Sequence, residues 1–129
     1  MNQWAAVAAV AAGGAAGSVF RFLIGGWFLQ RAGPGFPWGT LVVNLTGAFA
    51  IGVVMQLVAT RTGLSTYARL FFATGILGGY TTFSAFAYET YALGREGLLT
   101  VSIAYAFGSV VAGVGATVLG IAVTRAVVP

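Results

Sequence analysis

Four windows of this chain carry almost no charge: residues 4–28, interrupted by Arg21 alone, then 39–60, 70–88 and 98–124. Each comes close to or exceeds the roughly 20 residues that a helix needs to cross a hydrocarbon core about 30 Å thick. Polar stretches punctuated by Gly and Pro divide them, at 30–37, 61–63 and 94–97. Backbone N–H and C=O groups in lipid must pair within their own segment, and windows of this length suit helices rather than the shorter alternating strands of a barrel. The pattern therefore predicts an all-α membrane protein, a single transmembrane domain over residues 1–129 with four transmembrane helices. Arg21 lies near the far end of its window, from where a long side chain can snorkel to the headgroups. No Lys or Arg precedes the first window, so it reads as a span rather than a signal peptide.

The third window is poor helix material in its middle. Residues 74–84 read Thr-Gly-Ile-Leu-Gly-Gly-Tyr-Thr-Thr-Phe-Ser, with three glycines and two adjacent β-branched threonines. One reading is a third helix broken mid-membrane, its freed backbone groups satisfied by protein, an ion or a water-filled cavity. The other is a continuous helix with a glycine packing face. Small residues recur every fourth position elsewhere, as Gly13 and Gly17 in the first window and as Gly108, Ala112, Ala116 and Gly120 in the last. Such ladders let helices approach closely, within one subunit or between two.

Composition sharpens the picture by exclusion. Of 129 residues, 59% are hydrophobic and 6% charged, and the mean hydropathy is +0.95. The charges are six arginines, at 21, 31, 61, 69, 95 and 125, and two glutamates, Glu89 and Glu96, with no Lys, Asp, His or Cys. A serine nucleophile such as Ser84 has no His or Lys to activate it, so the chain does not read as an enzyme. The arginines stand singly and form no stripe able to track phosphates, which argues against nucleic acid. With four spans, Arg61, Arg69 and Arg125 fall on one face and Arg21, Arg31 and Arg95 on the other. Three against three gives the positive-inside rule almost nothing to act on. Either a weak bias picks one orientation, or copies insert both ways up and form an antiparallel dual-topology homodimer with the inverted symmetry that larger transporters encode as repeats.

Polar side chains inside the windows supply donors with little fixed charge. Asn44 lies in the second window, with Thr40 one turn before it on the same face. Tyr105, Ser109 and Thr117 share a face of the fourth, with Gly113 leaving a gap. Phe83 and Phe86 lie at i and i+3, and aromatic edges carry partial positive charge. The same residues also admit interhelical bonding, back-bonding to the preceding turn and simple packing. A pathway built from an amide, hydroxyls and ring edges would favour a small anion that replaces its hydration shell by hydrogen bonds. Glu89, at the end of its window, is expected to pair with Arg21 or Arg95 in a structural role, the alternative being a bare carboxylate that repels anions.

Residues 13–21, Gly-Gly-Ala-Ala-Gly-Ser-Val-Phe-Arg, Asn44 within Val-Asn-Leu-Thr-Gly, and the run from Gly75 to Phe86 together resemble the Fluc (CrcB) family of fluoride channels over essentially the whole chain. The resemblance implies an antiparallel dimer with two pores, exporting fluoride passively and selectively from a microbial cytoplasm across a bacterial inner membrane. Carried over by motif, Asn44 would be the pore amide and Phe83 and Phe86 the paired rings. Thr82 and Ser84 would be hydroxyls near the pathway, Tyr105 and Ser109 part of a polar track, and Arg21 a vestibule charge concentrating anions. Gly78 and Thr81 would offer backbone carbonyls to a structural Na+ on the dimer axis. Two positions depart from the pattern: Ala85 where relatives can carry Thr, and Gly113 where they can carry Ser. A small four-helix multidrug exporter is the competing reading, but its chemistry resembles proton exchange at a first-helix carboxylate, and the first window has none. A non-transporting assembly or scaffold protein would explain the helices and small residues but not the donor-lined third window.

Overall fold

The computed structural model describes residues 2–60 and 64–128, so the predicted loop at 61–63, with Arg61, lies outside the described residues. All regular elements among the described residues are helical: α1 (Gln3–Ala32), α2 (Trp38–Ala59), α3 (Thr66–Arg69), a π-helical stretch (Leu70–Leu77), α4 (Gly78–Tyr80), α5 (Phe83–Arg95) and α6 (Leu99–Val127). Four segments are long and apolar enough to cross a membrane: α1, α2, the joined run Thr66–Arg95, and α6.

The third helical run extends well past the charge-free window at 70–88 and encloses Arg69, Glu89 and Arg95. A charge-free window measures what lipid tolerates; helix length is set by where backbone pairing stops. At the start, the Ser65 side chain accepts the Ala68 N–H at 3.1 Å, and at the end Gly97 takes φ 83°. Helix α1 similarly begins with Asn2 Oδ1 accepting the Trp4 N–H at 3.0 Å and stops at Gly33, where φ is 74°.

Two backbone-close interfaces organise the bundle. α1 lies against the π-helical stretch and α4 through glycines: a Cβ on Gly13 would stand 2.9 Å from the Ile76 nitrogen and 3.0 Å from Gly75 Cα. One on Gly79 would stand 3.1 Å from Gly14 Cα. α2 meets α6 in the same manner, Gly52 against the Thr117 carbonyl and Gly120 against the Phe49 carbonyl. Without a strong hydrophobic drive between helices in lipid, such close approach and its dispersion contacts supply much of the association. Of the ladder in α6, Gly120 is used in this way, whereas Gly108 and Ala112 are exposed. At one end of the molecule the Asn2 N–H donates to the Tyr67 hydroxyl at 3.0 Å, and Arg125 Nε donates to Gln56 Oε1 at 3.2 Å.

The interior is thin. Among the described residues Val43, Leu93 and Tyr105 are its buried apolar side chains, while Phe83, Phe107 and Val111 are each more than 70% exposed. In water such a surface would be untenable; it is the surface expected of a chain whose solvent is lipid or another protein face.

Candidate functional site

Between α4 and α5 the backbone leaves the helix for two residues. Thr81 has φ −77° and ψ 158°, and Thr82 has φ −149° and ψ 118°. The approach to this step is already loosened, because the Gly78 N–H reaches back to the Ala73 carbonyl, the i−5 bond of a π turn. The π-helical stretch was not legible in the sequence.

Asn44 on α2 holds the step from across the bundle. Its Oδ1 accepts the Thr82 N–H at 2.8 Å, and its Nδ2 donates to the Thr82 carbonyl at 3.0 Å. The backbone N–H needs an acceptor, so the amide's orientation is fixed by this pair. Asn44 thus mimics a neighbouring strand, and its second N–H is not used in the pairing. Thr82 is buried, and its hydroxyl accepts the Ala85 N–H at 3.2 Å as the N-cap of α5. The Thr82 and Ser84 hydroxyls stand 3.4 Å apart. Beside them, Thr46 Oγ1 and the Tyr80 hydroxyl are 2.8 Å apart.

Two carbonyls lose a donor in consequence. In a continuing helix Gly78 O would receive the Thr82 N–H, which Asn44 takes, and Thr81 O would receive the Ala85 N–H, which the Thr82 hydroxyl takes. Leu77 O, by contrast, accepts both the N–H and the hydroxyl of Thr81, at 3.0 and 2.9 Å. A cleft of about 440 Å³ opens alongside, lined in part by Asn44, Gly78, Thr81, Gly113 and Thr117. Thr117 directs its hydroxyl to the carbonyls of Ala48 and Gly113, at 3.0 and 3.2 Å.

A second polar cluster surrounds Glu89, farther along α5. Oε1 accepts the Thr40 hydroxyl at 2.7 Å and Oε2 the Tyr105 hydroxyl at 2.9 Å. The expected pairing with Arg21 or Arg95 is therefore corrected: two neutral donors, from α2 and α6, hold the carboxylate. The physical signal was present, since a carboxylate inside an apolar segment needs donors, and Thr40 and Tyr105 are hydroxyl-bearing residues one helix away. The Tyr105 proton is spent on Glu89. Ser109, one turn further along α6, has its Oγ buried without a hydrogen-bond partner, beside an apolar cavity of about 390 Å³.

Rings connect the two clusters. Phe83 and Phe86 have centroids 5.8 Å apart and planes at 49°; Phe86 meets Tyr105 edge-on at 5.2 Å, and Tyr105 meets Phe36 edge-on at 5.3 Å. Phe83 follows Thr82 in sequence, so a tract of Asn44, Thr82 and Ser84, then Phe83, Phe86 and Tyr105, leads by bonding, chain adjacency and ring contact from α2 through α5 to α6. Arg21 stands apart from it, half-buried on α1.

With this geometry in place, comparison with known proteins is decisive for family. A family model described as "CrcB-like protein, Camphor Resistance (CrcB)" matches residues 8–121. The chain belongs to the CrcB family. It is 49% identical over 119 residues to a protein of Agrobacterium fabrum, a match covering 92% of this chain and 95% of that one. To a Rhizobium meliloti protein it is 50% identical over 119 residues, covering 92% and 95%, and to one of Nitrobacter winogradskyi 48% over 125 residues, covering 97% and 99%. All three are named "Fluoride-specific ion channel FluC", a channel and not an enzyme. Together with four membrane-capable segments, CrcB membership makes this a multi-pass membrane protein.

Proposed function

We propose that this CrcB protein is a fluoride-selective channel that lets fluoride leave the cytoplasm down its gradient, across a bacterial inner membrane. The observation that carries the reading is near-half identity, over more than nine-tenths of both chains, to proteins named fluoride-specific channels. The donor set agrees with it. Fluoride is small and strongly hydrated, so a site must replace water with several short hydrogen bonds yet not hold the ion by a full charge. The unused N–H of Asn44, the hydroxyls of Thr82 and Ser84, and the edges of Phe83 and Phe86 meet that need without a cation in the tract. Phe83 is 79% exposed on a single chain, as a ring awaiting a second wall would be. The Thr40 and Tyr105 hydroxyls engage both Glu89 oxygens, which disperses the negative charge at the end of the tract without cancelling it. Arg21 raises the local anion concentration at an entrance.

The working unit in this reading is an antiparallel dual-topology homodimer with two pores, which the even arginine count and the exposed apolar face of α6 support. The third run is then a helix broken mid-membrane, with the extended residues Thr81 and Thr82 at the break. The freed carbonyls of Gly78 and Thr81, hard neutral oxygens with no carboxylate beside them, fit a monovalent cation such as Na+ on the dimer axis. When bound, that ion supplies backbone satisfaction that lipid cannot and a positive potential near the pores.

Purified protein in liposomes tests the reading: fluoride efflux should be fast and chloride efflux undetectable, and Phe83→Ile, which keeps bulk but removes the ring edge, should slow efflux by at least about tenfold. Comparable chloride efflux would overturn it. For topology, a cysteine at Glu96 suits better than one at Gly97, whose φ of 83° disfavours a side chain. Labelling of Glu96→Cys in comparable amounts from both faces of sealed vesicles is expected, and labelling from one face alone would exclude dual topology.

A further inference from the structure

We propose that Asn44 is a positioning residue that makes the two-residue step in the third segment and, by taking the Thr82 N–H, keeps the Gly78 carbonyl free for a cation. The cation clause rests on the reading above; the backbone clause stands on the hydrogen bonds alone. Thr81 and Thr82 are β-branched but not intrinsically barred from a helix, and no proline enforces the departure. What distinguishes this position is that a side chain on another helix supplies the acceptor that the Thr82 N–H forgoes, at 2.8 Å, and adds a donor to the Thr82 carbonyl at 3.0 Å. A buried backbone N–H without that acceptor would favour returning to helix, because an unpaired buried donor keeps the full cost of its desolvation.

The surface of α2 is adapted to the same task. One turn after Asn44, the Thr81 methyl occupies the place where a Gly47 side chain would stand, and the Tyr80 ring is 3.3 Å from that point. The Thr46 hydroxyl, bonded to the Tyr80 hydroxyl, holds the residue just before the step. Asn44 therefore links two tasks. One N–H is left out of the pairing, while the rest of the amide sets the backbone on which Gly78 O depends. If the Thr82 N–H were returned to Gly78 O, that oxygen would be spent, and residues 81–82 would wind up, turning Phe83 away from its present bearing.

Backbone chemical shifts of isotope-labelled protein in nanodiscs test this. In Asn44→Ala, the shifts of Thr81 and Thr82 should move from extended toward helical values. In Asn44→Asp, which keeps an acceptor for the Thr82 N–H, they should stay extended. Unchanged shifts in Asn44→Ala would overturn the proposal. Should that variant not fold, the wild-type distance from Thr82 N to Asn44 Cγ decides, being expected near about 4 Å for a direct hydrogen bond. A value beyond bonding range contradicts it. The link to the cation is read without flux, from stabilisation of the folded protein by added sodium. The sodium concentration for half-maximal stabilisation should rise roughly tenfold in Asn44→Ala, as loss of one hydrogen bond's worth of preorganisation predicts, and stay within about twofold in Phe83→Ile. Equal sodium requirements in wild type and Asn44→Ala would overturn the link to Gly78. A wild type indifferent to sodium against N-methylglucamine would instead remove the cation reading, and the Thr82 shifts would still decide the role of Asn44.

Discussion

The two sides of this bundle are held together by opposite means. Where α1 meets Leu70–Leu77 and α4, the contacts are backbone on backbone, and what matters is the side chain that is missing at Gly13, Gly17, Gly75 and Gly79. Where α5 meets α2 and α6, side chains cross the gap with hydrogen bonds: Asn44 to Thr82, and Thr40 and Tyr105 to Glu89. Lipid explains both. It offers no hydrogen bonds, so backbone is either left in continuous helix and packed closely, or taken out of helix and repaid by donors and acceptors from a neighbour. Only the second arrangement leaves spare polar capacity, and the proposed pathway lies on that side.

The contrast is broken most forcefully on the glycine side. Gly13→Val places a branched side chain within 3.0 Å of backbone atoms that cannot move aside separately, so loss of folded protein is expected, or destabilisation beyond about 3 kcal/mol. Retention of a monodisperse peak and an unaltered thermal midpoint in detergent would show that this interface is looser than described. On the polar side the effects are graded. Tyr105→Phe removes a donor to a carboxylate and should cost about 1.5–3 kcal/mol, measured by reversible unfolding in mixed micelles. Combining it with Thr40→Val should be non-additive, because both hydroxyls serve Glu89. Simple additivity would mean that they do not share the carboxylate's charge. The smallest change is expected at Ser109. Its Oγ is buried and unpartnered, so Ser109→Ala should shift stability by less than about 0.5 kcal/mol, or raise it. A loss above 1 kcal/mol, roughly one hydrogen bond, would reveal a partner that a single chain does not contain.

Much of the glycine side was legible in the sequence. Four-residue spacing of small residues and uncharged windows depend on composition alone, and lipid imposes them uniformly. The polar side was legible by residue but not by role. Asn44, Thr82, Ser84, Tyr105 and Ser109 are conspicuous as polar groups in apolar runs, yet which of them face one another depends on helix rotation, which no window reveals. For Asn44 the sequence left interhelical bonding and ligand contact both open, and the structure gives most of the amide to Thr82. Glu89 appeared at the end of a window and was assigned an arginine; helix α5 continues to Arg95 and places it among hydroxyls. The π-helical stretch left no mark, because an i−5 bond needs no special residue type.

The central claim, that a tract of neutral donors in this CrcB protein conducts fluoride and not other halides, is tested most directly by a reversal potential. Purified protein in a planar bilayer would face fluoride on one side and chloride at equal concentration on the other. The account predicts that, as selectivity becomes complete, the potential is driven toward the limit set by fluoride alone, tens to hundreds of millivolts from zero. A reversal near zero, meaning that chloride passes as readily, would contradict it.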